Sequence, residues 1–183
     1  MALAAPALAA SADATRAERS MGNAQARLTA IEWFSLTCPH CAAFAREALP
    51  VLRAKWIAPG KLRWVFRDFP TDMAALQAAM VARYLPVERY DHFIDTLFAN
   101  QDRWVFGPGS VADSLWPLAA DAGMDRTTFD RALVDHGLQD WIVGQALEAE
   151  SRWHVDATPS FVINGKLYTG AMTADQFATI LAG

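Results

Sequence analysis

The run LTAIEWF at residues 28–34 is apolar on both alternations except for Glu32, and it constrains the fold more than any other stretch. A strand that is apolar on both sides belongs inside a sheet covered on both faces, and such sheets pair parallel strands through crossover helices. The strand run ends before Thr37-Cys38-Pro39, where Pro39 suits the first turn of a helix. Phe44, Ala48, Val51, Leu52 and Trp56 continue at helical spacing, Pro50 predicts a kink, and Pro59-Gly60 ends the helix. KLRWVFRDF at 61–69 reads as a second strand, with Leu62, Trp64 and Phe66 on one face. Strand, crossover helix and strand make a βαβ unit whose first turn carries both cysteines of the chain, Cys38 and Cys41.

The middle of the chain is helical in pattern. Met73, Leu76, Met80 and Tyr84 form one apolar stripe, and Tyr90, Phe93, Ile94, Leu97 and Phe98 form another. After Gly107-Pro108-Gly109 come helices near 113–122, 125–136 and 138–153, with Gly123 and Gly137 as C-terminal stops. The end returns to strands: residues 160–163 and 166–169 flank Asn164-Gly165, a strong two-residue hairpin signal. Thr173 and Gln176 then form a capping box ahead of Phe177, Ile180 and Leu181. The order βα, helical block, ββα describes a split α/β domain with a helical insertion.

With 183 residues and 53% hydrophobic content, the chain builds a core without disulfide staples. A net charge of −4 gives no basic footprint, so no nucleic-acid partner is expected. Residues 1–10 are almost entirely Ala, Leu and Pro, too short to span a bilayer. They read as the remnant of a signal peptide behind an initiator Met, against the plainer reading of an Ala-rich arm.

Cys38-Pro39-His40-Cys41 is a CxxC pair, which closes a short disulfide or binds a metal. No second CxxC or close His pair completes a zinc set, and His92, His136 and His154 are scattered, so no metal is expected. At a helix N-terminus, orphan N–H groups and the macrodipole stabilise a Cys38 thiolate. His40 adds a donor or positive charge, Pro39 stiffens the turn, and Cys41 lies one turn inside, within reach and better protected. Two inert structural thiols are the plainer alternative.

IEWFSLTCPHCAAF at 31–44, VFRDFP at 65–70 and ATPSFVINGKLYTG at 157–170 resemble the thioredoxin superfamily, and within it the DsbA-like thiol:disulfide oxidoreductases. The resemblance covers nearly everything after Met21 and implies a thioredoxin fold interrupted by a helical insertion domain. It divides the chain into a signal remnant and flexible lead-in (1–20), an N-terminal half (21–70), the insertion (71–153) and a C-terminal half (154–183). It makes Cys38 the nucleophile, Cys41 the resolving thiol and Pro159 a cis-proline opposite them. Thr158 and Pro159 then bind an extended substrate in a manner close to strand addition. Glu32 matches the family's buried acid, with Arg67 or else Arg63 as its basic partner.

The resemblance implies no cofactor beyond the Cys38–Cys41 pair. It points to a monomeric, periplasmic or otherwise exported oxidase of reduced client proteins, recharged by a DsbB-like quinone-linked membrane protein. Thr158, where the best-known DsbA oxidases carry Val, leaves disulfide isomerase or reductase as the alternative direction. From another class, a peptide-binding chaperone or a CxxC metal carrier remains open.

Overall fold

A computed structural model describes residues 12–182, so the expected export remnant at 1–10 lies outside the described residues. A short helix α1 (Ala12–Arg16) and an edge strand β1 (Arg19–Met21) precede β2 (Leu28–Phe34). Then come α2 (Pro39–Glu47), α3 (Leu49–Leu52), a π-helical turn (Arg53–Ile57) and β3 (Leu62–Asp68). The helical block comprises α4 (Met73–Arg83), α5 (Val87–Ala99), α6 (Gln101–Val105), α7 (Val111–Asp121), α8 (Arg126–Leu133) and α9 (His136–Trp153). The chain closes with β4 (Ser160–Ile163), β5 (Lys166–Thr169) and α10 (Ala174–Ala182).

The strands form one sheet in the order β1-β3-β2-β4-β5, with β2 and β3 parallel and the other pairings antiparallel. Strand alternation sorts the side chains. Glu32 lies opposite Phe66 on one side and Phe161 on the other, so these three share a face with Phe34 and Trp64. On that face Phe44 of α2 stacks on Trp64 at 5.8 Å and meets Phe161 at 4.8 Å, and Phe34 meets Phe98 of α5 at 5.9 Å. The opposite face places Trp33 and Val162 in a second cluster with Ala146 and Ala149 of α9. Both faces are therefore covered, as the apolar run at 28–34 requires.

Asn164 and Gly165 have φ of 50° and 79°, the paired left-handed conformations of a two-residue hairpin. Thr173 and Gln176 exchange the two bonds of a capping box: Thr173 N donates to Gln176 Oε1 at 2.8 Å, and Gln176 N to Thr173 Oγ1 at 3.2 Å. The expected kink is a break at Ala48, before Pro50, followed by the π-helical turn. Among the described residues, no helix is long and apolar enough to cross a membrane.

Three local expectations are corrected. Gly137 is no stop; it lies in the first turn of α9, because Asp135 accepts a bond from Leu138 N and starts that helix directly after α8. Met73 is 62% exposed, since it opens α4 beyond the core rather than leading its buried stripe. The segment expected as a flexible lead-in forms α1 and β1 and is tied down: Arg83 donates to Thr15 O at 3.2 Å, and Arg19 donates to Arg83 O at 2.8 Å. Arg83 also pairs with buried Asp68, which accepts from Tyr90 Oη at 3.2 Å.

Candidate active site

The site forms where β2 ends and α2 begins. Cys38 is the N-cap of α2, extended at φ −75° and ψ 120°, and Pro39 occupies the first helical turn, where a missing N–H costs nothing. Cys38 N donates to Ser35 O at 3.1 Å, closing the turn. The loop after β3 fastens to it: Ser35 Oγ lies 2.9 Å from Thr71 Oγ1, and Thr37 Oγ1 donates to Asp72 Oδ2 at 2.5 Å. The other Asp72 oxygen accepts from Ala75 N at 2.8 Å and caps α4. Asp72→Ala is expected to lower stability by about 1 kcal/mol, read by denaturant unfolding, because it removes that cap.

Both cysteines are free thiols in this structure. Cys38 is half-buried, whereas Cys41 is fully buried beneath it. A hydrogen bond from the Cys41 thiol does most to draw the Cys38 pKa from 9.0 down to about 5. The Thr158 side chain and the backbone N–H groups of Cys41 and His40 add to it, against the opposing effect of burial. Burial pushes the Cys41 thiol upward, and its bond to Cys38 and the charges of Cys38 and Glu32 act the same way. One sulfur is thus a half-buried thiolate near neutral pH and its neighbour a protected thiol, the asymmetry of an attacking and a resolving pair.

His40 is exposed and reaches Cys38 through its backbone N–H, the contribution its place in the first turn provides. Pro39 is exposed as well. The Thr158–Pro159 peptide is cis and lies across from the pair, with Cys38 Sγ 3.3 Å from Thr158 O. Pro159 O accepts from Gly170 N at 2.8 Å, which anchors this loop to the end of β5.

Glu32 is 2% exposed and accepts a bond from Trp64 Nε1 at 3.1 Å. Burial pushes its carboxyl up to about 8, against the Trp64 bond. Neither Arg67 nor Arg63 is its partner. Both extend from the opposite face of β3 and pair with Glu18, Arg67 at 2.9 Å. The cation whose charge reaches Glu32 is Arg53, itself held by Asp95 at 2.6 and 3.1 Å.

One residue at the site had no sequence signal. Gln101, buried at the start of α6, donates from Nε2 to Leu36 O at 2.8 Å and to Cys38 O at 3.1 Å. A lone Gln in a short polar stretch has no periodicity that marks it as inward-facing. Among the described residues, no group of His, Cys, Asp and Glu is arranged to hold a metal ion.

A family model described as thioredoxin matches residues 14–182. A relative in Rickettsia felis, whose name assigns it provisionally to the protein-disulfide oxidoreductases, is 26% identical over 160 residues, 87% of this chain and 57% of its own length. The chain therefore spans little more than half of that relative. The thiol:disulfide interchange protein DsbA of Bordetella pertussis is 24% identical over 153 residues, 81% of this chain and 68% of its own. The crystal structure of Wolbachia pipientis alpha-DsbA1 superposes with a TM-score of 0.85 at 28% identity, covering 91% of this chain and 90% of that one. The sheet is thioredoxin-like and α4–α9 form the helical insertion of the DsbA fold. With a matching family model over almost its whole length, this chain belongs to the thioredoxin family, as a DsbA-like member.

Proposed function

We propose that the protein is a thiol:disulfide oxidoreductase that works as a dithiol oxidase, passing a Cys38–Cys41 disulfide to reduced client proteins. The observation that carries this reading is the asymmetry of the pair: Cys38 is held near a pKa of about 5 at the start of α2, over a buried Cys41 thiol. Stabilising the thiolate favours the reduced protein, so the disulfide form is the better electron acceptor. A client thiolate attacks the Cys38 sulfur, the Cys38–Cys41 bond breaks and Cys41 leaves as a thiolate, which takes up one of the protons that the client thiols gave to solvent. A second client thiolate then attacks the client sulfur of the mixed disulfide, which releases oxidised client and the Cys38 thiolate. Two electrons pass to the pair, and a quinone-linked membrane protein of the DsbB kind returns it to the disulfide.

In this reading Cys38 is the nucleophile, Cys41 the resolving thiol, and Pro39, His40 and Glu32 modulate them. Thr158 and Pro159 contact the client. The thioredoxin halves at 21–70 and 154–183 carry the chemistry, and the insertion at 71–153 shapes the client groove. In the same reading the clients are exported proteins, and the enzyme acts in the periplasm or an equivalent oxidising compartment.

Thr158 supports a second direction, isomerase or reductase. Both are tested by one experiment. The oxidised protein is mixed with a dithiol peptide at neutral pH, and equilibrium with glutathione is measured alongside. Rapid, stoichiometric peptide oxidation and a reduced-favouring equilibrium are expected. A pair that stays disulfide-bonded in reducing glutathione and leaves the peptide untouched removes the oxidase reading.

A further inference from the structure

The N-cap residue of α2 lacks the usual local support. The Cys38 sulfur faces the His40 and Cys41 N–H groups without the full cap hydrogen bond that a Ser, Thr or Asp oxygen makes, so support for the backbone of the redox turn comes from elsewhere. The holding group comes from the insertion. Gln101 Nε2 donates to Leu36 O at 2.8 Å and to Cys38 O at 3.1 Å, the carbonyls on either side of Thr37, and Gln101 is only 7% exposed. Cys38 O also accepts from Ala42 N at 3.1 Å, so the same oxygen joins the first turn of α2 to α6. Its neighbour Trp104 is 1% exposed and donates from Nε1 to Leu97 O at 2.8 Å, which locks α6 to α5. The amide of Gln101 is therefore presented by a short helix fastened to α5.

We infer that Gln101 is a positioning residue for Cys38, holding the redox turn from the insertion so that the sulfur stays over the first N–H groups of α2. This inference rests on the disulfide-exchange reading above. An extended N-cap aims its side chain at the N–H groups two and three residues on, here His40 and Cys41, only while its ψ is fixed. Without Gln101 the Leu36 and Cys38 carbonyls lose a buried donor, and the turn is free to relax away from that geometry. The other groups facing Cys38 are the Cys41 thiol from α2 and Thr158 from the loop before β4, with Glu32 behind Cys41 and Asp72 joined to Thr37. Of the charged residues on α6 itself, Asp102 and Arg103 are exposed.

The test uses Gln101→Met, which keeps the length and volume but has no donor, and Gln101→Glu, which keeps the shape and places a carboxylate at the two carbonyls. Thiolate absorbance against pH reads Cys38 directly. In glutathione buffer, the Cys38 and Cys41 thiols form one disulfide as one oxidised glutathione accepts two electrons and two protons and leaves as two reduced molecules. Gln101→Met is expected to raise the Cys38 pKa by about one unit and to shift the pH 7 equilibrium about tenfold toward the disulfide form. Gln101→Glu should move both at least as far.

The equilibrium shift must vanish below about pH 5, where the reduced sulfur is protonated in parent and variant alike. A purely structural role lowers the stability of both redox forms together and leaves their ratio unchanged at every pH. Either variant, folded, with the parent's Cys38 titration and the parent's glutathione ratio overturns the inference. Failure of the parent to exchange with glutathione overturns the proposed function instead, while the thiolate titration still reads the effect of Gln101.

Discussion

Cys38→Ser is expected to bring dithiol oxidation down to the uncatalysed background, whereas Cys41→Ser is expected to leave a sulfur that reacts once and stays bound. The two substitutions separate roles that the sequence motif alone treats as equivalent. At the N-cap, the half-buried Cys38 sulfur is the more accessible of the two and the one a client reaches, and serine there is neither a thiolate nor a disulfide partner. Cys41 is fully buried with a raised pKa, so it meets only what is already bonded to Cys38. Offered a peptide whose single cysteine is disulfide-bonded to a small thiol, and which therefore has no second thiol to release itself, Cys41→Ser should attack through Cys38, expel the small thiol and retain the peptide as a mixed disulfide. Mass spectrometry without reductant detects the adduct, and unchanged thermal unfolding serves as the control for folding. Turnover by Cys38→Ser, or rapid release of peptide by Cys41→Ser, contradicts the assignment.

The second large effect is in how stability follows pH. Glu32 has a folded pKa of about 8 against an ordinary 4.5. Its proton is bound more tightly in the folded state, so its contribution is fully present below pH 4.5 and lost as pH rises through about 8. For the oxidised protein the loss is on the order of 5 kcal/mol across that window, about 10 °C in Tm for a chain of this size. Glu32→Gln keeps an oxygen for Trp64 Nε1 and removes the charge, and it is expected to flatten the profile.

Reduced Cys38 acts with the opposite sign. Its folded pKa lies below the ordinary 9.0, so its contribution is fully present above pH 9.0 and lost as pH falls through about 5. Between pH 5 and 8 the two groups oppose each other in the reduced protein, while only Glu32 titrates in the oxidised one. Melting curves should show the reduced protein gaining on the oxidised protein as pH rises. An oxidised form with a flat profile, or a Glu32→Gln variant that keeps the slope, contradicts the assignment to Glu32.

The sequence disclosed those parts of the fold that rest on short-range rules. The two-sided apolar run of β2, the Asn164-Gly165 hairpin, the Thr173–Gln176 box and the CxxC pair at a helix start each follow from residues within a few positions of one another. What it hid depends on register and long reach. The error over Arg67 is instructive: in the parallel register Arg67 lies opposite Trp33 and not Glu32, so alternation sends it to the far face. Register is a tertiary quantity and no single strand carries it. The edge strand β1 reads Arg-Ser-Met and has no apolar alternation, because its Arg19 is buried on the carbonyls of Arg83 and Leu85. Gln101 was hidden for the same reason, since its two acceptors lie more than sixty residues upstream.

The strand order bears on how the molecule is made. β2 is central, with β3 on one side and β4 on the other, yet β4 is separated from it by the whole insertion. A ribosome therefore delivers β2, the cysteines and every insertion helix before it delivers Thr158 or the strand that closes the sheet. A chain cut short after α9 has an open sheet edge along β2, which is a template for pairing with other chains, and a nucleophilic sulfur with no opposing loop. A chain cut there is thus predisposed to aggregate and to cross-link, a hazard that lasts until β4 and the Thr158 loop are in place.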